Sequence, residues 1–176
     1  MHGWRGVVSA GLCVGLLLPG CSRGPEPEQA ALIAEIERLG GRVKFDERQA
    51  IGEVALGGTQ VSGELLARLS LFPDLKTLSL FDSPIGDDDL AQIAALPQLE
   101  TLYLGRTHVT DAGLARVAGF AGLKTVGLSD TQVSDQGVEL LAALGRLRSI
   151  NLRHTRVSRA GADALKAALP DIVIHL

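Results

Sequence analysis

The chain has 176 residues, 46% of them hydrophobic and 3% aromatic, with a net charge of −3. That is enough apolar chain for one small globular domain, and an acidic balance supplies no basic field for nucleic acid. Its two cysteines, Cys13 and Cys21, both fall near the start, which leaves the rest of the chain without a disulfide framework, a cysteine zinc site or a cysteine nucleophile.

Residues 1–20 differ in kind from the rest of the chain. Arg5 is their only charged side chain, and Val7 to Leu18 is apolar apart from Ser9. A run of that length is too short to span a bilayer, which takes about 20 residues. A basic start before a short apolar run predicts a secretory signal peptide over 1–20, the alternative being a buried helix with an incidental cysteine. The stretch Leu18-Pro19-Gly20-Cys21 resembles a bacterial lipobox, from which it departs at Pro19. The resemblance implies lipidation of Cys21 and an exported protein anchored in a bacterial membrane, on the periplasmic or the surface side. Several acyl chains, at about 0.8 kcal/mol per buried CH₂, would hold it firmly.

Residues 21–29 read as the lipidated cysteine and a short polar tether with Pro25 and Pro27, reaching roughly 25 Å at about 3.1 Å per residue. Residues 30–50 read as an N-terminal cap. An amphipathic helix is predicted from Glu28 to Leu39, with Leu32, Ile33, Ile36 and Leu39 on one face and Gly40-Gly41 as its stop. A strand is predicted over Arg42 to Asp46, where Val43 and Phe45 alternate with polar residues.

From 51 to 170 one 24-residue phrase is repeated five times without insertion, starting at Ile51, Leu75, Leu99, Leu123 and Leu147. Each copy opens L-x-x-L-x-L, as in Leu99/Leu102/Leu104, whose last two members share one face of a short strand. Val61, Ile85, Val109, Val133 and Val157 form the next apolar column. Helical spacing then takes over, as in Leu90/Ile93/Leu96 and Leu114/Val117/Phe120. Each copy is therefore strand, turn, helix and return, and cannot bury its apolar side without a neighbour. Ser62, Thr110, Ser134 and Ser158 stand at helix N-caps, followed by Asp87, Asp111 and Asp135 in a column that complements the positive helix end. Thr59, Ser83, Thr107, Thr131 and Thr155 form a hydroxyl column suited to bonding loop backbone. The fifth copy degenerates, with Arg159 in the Asp column, and residues 171–176 read as a closing strand.

The chain thus resembles the leucine-rich repeat family in its L-x-x-L-x-L-x-x-T-x-V-T-D-x-G-L form, similar to repeats of the ribonuclease-inhibitor-like and F-box-associated groups and of bacterial surface proteins. Thr or Ser fills the usual Asn column. The resemblance implies an α/β solenoid, a right-handed superhelix with parallel strands on the concave face and helices on the convex one. It also implies binding to a protein or an envelope component, with no cofactor.

Candidate residues lie on the predicted concave face. One column reads Ala55, Ser79, Tyr103, Gly127, Asn151 and the next reads Gly57, Phe81, Gly105, Ser129, Arg153. A third reads Gly58, Asp82, Arg106, Asp130, His154, an alternating charge ladder that either fixes the stack or forms a recognition strip. Phe81 and Tyr103 beside Arg106 have the composition of a binding hot spot, or else simply cover the sheet. Strands about 4.8 Å apart give roughly 250–400 Å² of concave sheet, against about 800 Å² per partner in a standard protein interface. The ligand is then small, weakly held or also contacted by flanking loops.

Copies one and two carry −2 and −3, whereas Arg148, Arg153, Arg156, Arg159 and Lys166 against Asp163 give the fifth +4. That end suits an acidic partner, lipid phosphates or the acidic end of a second copy, in weak head-to-tail self-association. A structural spacer without a ligand is the alternative to a binding module. A hydrolase built on His154, Asp130 and Ser129 is a remote one, because the sequence shows none of the usual nucleophile, metal or phosphate motifs. Asp87-Asp88-Asp89 lacks the alternation of a calcium loop.

Overall fold

An apolar residue at every second position buries one face of a short strand, and a 24-residue period places each such strand beside its equivalent. The computed structural model, which describes residues 25–94 and 96–176, shows seven strands in chain order across one sheet. They are β1 (Arg42–Phe45), β2 (Ile51–Ala55), β3 (Thr77–Ser79), β4 (Thr101–Tyr103), β5 (Thr125–Gly127), β6 (Ser149–Asn151) and β7 (Val173–His175). β1 and β2 form an antiparallel hairpin, and all later pairs are parallel. The register follows the repeat: Leu78 faces Leu102, which faces Val126, which faces Ile150. These residues, with Leu80, Leu104 and Leu128 two positions on, are fully buried and form the spine of a single core. The signal-peptide region, Cys21 and residues 22–24 of the tether lie outside the described residues.

Helix α1 (Pro27–Arg38) covers the first coil with the predicted face, burying Leu32 and Ile36 completely. It includes residues 27–29, which the composition assigns to the tether, because Pro27 suits the first turn and Gln29 Nε2 donates to Leu71 O at 2.7 Å. Glu35 pairs with Arg68 on α2 (Gly63–Arg68), tying the cap to the first coil. β1 stops one residue short of the predicted strand because the Asp46 carboxylate folds a turn, accepting from Arg48 N at 2.8 Å and Ala50 N at 2.9 Å.

The hydroxyl column does what its burial requires. Thr59, Thr107, Thr131 and Thr155 each donate to the carbonyl three residues earlier, at 2.6–2.7 Å, and Ser83 does the same at 2.5 Å. Each loop thereby satisfies an inward carbonyl without an Asn.

The aspartate column goes beyond the helix-end role. Asp87 reaches into the next coil, where its two oxygens accept from Thr110 N (2.8 Å) and Thr110 Oγ1 (2.6 Å). Asp111 grips Ser134 in the same way at 2.7 and 2.5 Å, and Asp135 grips Ser158 at 2.7 and 2.6 Å. Donation from the Ser158 hydroxyl, then from its N–H, holds the Asp135 carboxyl below the usual aspartate range against a small opposing effect of burial. The carboxylates occupy the space where Gly113, Gly137 and Gly161 would carry a β-carbon, which explains the D-x-G spacing. These clasps join helices α3 (Asp111–Val117), α4 (Asp135–Leu140) and α5 (Arg159–Ala168) in series. Arg159 ends the series because it has no carboxylate to pass on.

Between copies one and two every part of this clasp is missing. Gly63 stands in the carboxylate column, Gly86 in the hydroxyl column and Asp89 in the glycine column. Asp89 instead accepts from Gly86 N at 2.9 Å. With no Ser or Thr to cap its start, unlike Ser62 in the first copy, the convex segment of the second copy is a single 3₁₀ turn, Asp89–Ala91, rather than the helix that Leu90/Ile93/Leu96 predicts, although all three of those side chains are still buried.

The clasp predicts a specific coupling. Gly137→Ala overpacks against Asp111 and should cost about 1–3 kcal/mol, and Asp111→Ala should cost a similar amount through lost hydrogen bonds, about 1–3 kcal/mol. In chemical denaturation the double variant should lose clearly less than the sum of the two, since its β-carbon meets no carboxylate.

Candidate functional site

On the concave face the strands are only three to five residues long, so every outward side chain stands beside its equivalents on the neighbouring coils. Large side chains there need room on the next rung. Phe81 leans onto Gly105, where a β-carbon would lie 2.9 Å from its ring, and Tyr103 leans onto Gly127, also at 2.9 Å. Both rings remain about two-fifths exposed. Together they wall a shallow concavity of about 280 Å³. Its floor is neutral and polar, formed by Thr125, Ser129, Ser149 and Asn151 with the backbone of the two glycines. Asn151 Oδ1 accepts from Arg153 N at 3.2 Å.

The rim at the strand C-termini is a turn in which Asp82, Arg106, Asp130 and His154 all adopt the left-handed conformation, with φ between 55° and 58°. Asp and His tolerate that region better than most side chains, and Gly58 occupies it in the first copy. Asp130 is the hub: its Oδ1 lies 3.0 Å from His154 Nδ1 and its Oδ2 lies 3.9 Å from Arg106 Nε. The ladder is not continuous. Among the described residues no ion pair joins Asp82 to Arg106; the guanidinium lies over the Phe81 ring, 5.5 Å from its centroid. A catalytic triad is not assembled either, since Ser129 Oγ is turned toward Gly105 and makes no hydrogen bond with His154.

The opposite rim carries a second charge series, Lys76, Glu100, Lys124 and Arg148. Lys124 Nζ bonds Glu100 at 2.9 Å. That bond holds the Glu100 carboxyl below its ordinary range against the opposing effect of burial, with help from the charges of Lys124, Lys76 and Arg146.

No protein-family model and no curated protein matches the sequence. Among solved structures, a leucine-rich repeat protein of Leptospira interrogans superposes with a TM-score of 0.50 at 18% identity, over 71% of this chain and 37% of that one. The chain has a leucine-rich repeat fold. An internalin of Listeria monocytogenes is also similar, with a TM-score of 0.48 at 16% identity over 69% of this chain and 39% of that one. The chain thus spans under two-fifths of the length of these neighbours.

Within this leucine-rich repeat fold, Phe81, Tyr103 and Asn151 come together around the concavity, with Arg106 behind the Phe81 ring. Ser79 and Asp82 lie on the other side of Phe81, in a neighbouring dent with Arg42 and Gly57. Asp130, Arg153 and His154 stand on or beside the rim. The repeat columns do not single out Thr125, Ser149 or the two glycines. Their signal is nonetheless present in the sequence, because each aromatic is followed one rung later by glycine, and Thr77, Thr101, Thr125 and Ser149 recur in the polar slot before the strand's inward leucine.

Tyr103 is the chain's one tyrosine and so reports on this geometry directly. Gly127→Ala should swing its half-exposed ring outward, changing the tyrosine near-UV circular dichroism while costing less than about 1 kcal/mol in stability.

Proposed function

We propose that the chain is a non-enzymatic recognition module of the ribonuclease-inhibitor-like repeat type, which binds a protein or an envelope component on its concave face. The observation that carries this reading is the group of Phe81, Tyr103 and Arg106. Two aromatic side chains stay partly exposed, braced by glycines and by a guanidinium, beside a concavity lined with neutral hydrogen-bonding groups. Buried aromatic and Arg anchors dominate binding energies where interfaces have been dissected. The exposed Asp130–His154 pair serves the rim and, among the described residues, makes no hydrogen bond with the Ser129 hydroxyl, which supports a binding role over hydrolysis.

The same proposal includes display on a bacterial membrane. Its support is the sequence alone: the apolar run before Cys21 and the lipobox-like Leu18-Pro19-Gly20-Cys21. α1 begins at Pro27, so few residues separate Cys21 from the folded domain, which stays close to the membrane.

Binding is tested by crosslinked capture from envelope extract, comparing the parent chain with the Phe81→Ala/Tyr103→Ala/Arg106→Glu variant after matched melting curves. The variant should bind its partner at least about 30-fold more weakly, as expected for loss of a hot spot worth about 2 kcal/mol. Equal capture by both would reject the site.

A further inference from the structure

The chemistry of the concavity narrows the ligand class, an inference that rests on the recognition reading above. A space of about 280 Å³ lies at the small end of ligand clefts, about 300–1,000 Å³. From Phe81 to Asn151 it crosses three strand intervals, about 14 Å at 4.8 Å each, so it is elongated across the coils. One part of its lining is apolar, the exposed parts of the Phe81 and Tyr103 rings. The other part consists of groups that both donate and accept without charge: the hydroxyls of Thr125, Ser129 and Ser149 and the Asn151 carboxamide. Asn151 Oδ1 is already engaged by Arg153 N, which leaves its N–H groups as donors.

Charge is arranged around this floor and not on it. On one rim Asp130 lies beside Arg106 and His154, with Arg153 next to them, and on the other Lys124 bonds Glu100 while Arg148 bonds backbone carbonyls. No charged side chain lines the floor itself, so an anionic ligand gains no cation there, and an extended peptide would find its backbone groups facing strands already paired on both sides. A ligand that presents an apolar face for ring stacking and a belt of neutral hydroxyls fits both halves of the lining.

We propose that the concavity between Phe81 and Asn151 binds a neutral pyranose oligosaccharide, stacked on Phe81 and Tyr103 and hydrogen-bonded by Thr125, Ser129, Ser149 and Asn151. The glycines at 105 and 127 are then part of the specificity, since a β-carbon at either would meet the neighbouring ring at 2.9 Å and displace it.

The test uses the full chain carrying Trp4→Phe, in a detergent without sugar headgroups, so that with the one tryptophan removed Tyr103 dominates the emission. It is titrated with maltotetraose, cellotetraose and chitotetraose. At least one should change Tyr103 emission saturably, with an affinity that hardly varies with salt because no charges pair. Phe81→Ala, after its melting curve is matched, should weaken that response more than about tenfold. No saturable response to any of the three, a response unaffected by Phe81→Ala, or one that fades steeply with salt would each overturn the proposal. If a protease-sensitive partner is captured through Phe81, Tyr103 and Arg106 while all three saccharides fail, recognition stands and the oligosaccharide assignment falls. If neither capture nor saccharide binding depends on these residues, both fall.

Discussion

Residues 24 positions apart in this chain meet across one strand spacing, about 4.8 Å, and nearly every other feature is a consequence. The constraint is strict because the five copies contain no insertion, so a residue type placed in one column becomes a ladder through the molecule. Apolar columns become the core spine of Leu78, Leu102, Val126 and Ile150. Hydroxyl columns become a series of closed loops. The acidic column becomes a set of clasps, in which each coil lends a carboxylate to the helix start of the next.

That last arrangement couples the convex side to the stack. An isolated helix of six or seven residues is too short to be stable in water. Here α3 and α4 are held by burial on one face and by the inter-coil carboxylates at their N-termini. Where the clasp is missing, in the second copy, the same apolar spacing yields only a 3₁₀ turn. Burial alone therefore keeps the chain in place, and a helix forms where a Ser or Thr caps its start, as at Ser62 in the unclasped first copy, but not where Gly86 stands in that column.

The concave face obeys the same geometry with opposite needs. A ladder of equal side chains would fill it, whereas Phe81 and Tyr103 each displace the next rung's side chain down to glycine. The resulting hollow is a packing consequence of putting a large ring next to nothing. The rim charges contribute modestly, about 0.2–1 kcal/mol per exposed pair. Their larger effect is placement: Asp130 draws Arg106 and His154 together, and Arg106 braces the ring that walls the hollow.

Much of this was legible in the sequence because periodicity is a local signal that survives stacking. The strand positions, the buried leucines and the threonine hydroxyls that bond loop backbone follow from spacing within one copy, and the parallel order from the resemblance to leucine-rich repeats. What spacing could not settle depends on neighbours. The reach of Asp87 into the next coil, and the need for Gly113 that it creates, appear only when two copies are laid side by side. The short turn in copy two goes with Gly86 in the N-cap column and Asp89 in the glycine column, an effect that only comparison with the other copies reveals. Alternating charge in the third column predicted a continuous ladder, yet tertiary geometry set Arg106 over Phe81 and left Asp82 outside it. The sequence by itself determined the repeat, its core and its solenoid class, because those rest on the chain's own period. Only the tertiary structure decided which polar groups clasp, which charges pair and where the face is hollow, because those depend on distances between coils that the chain order does not contain.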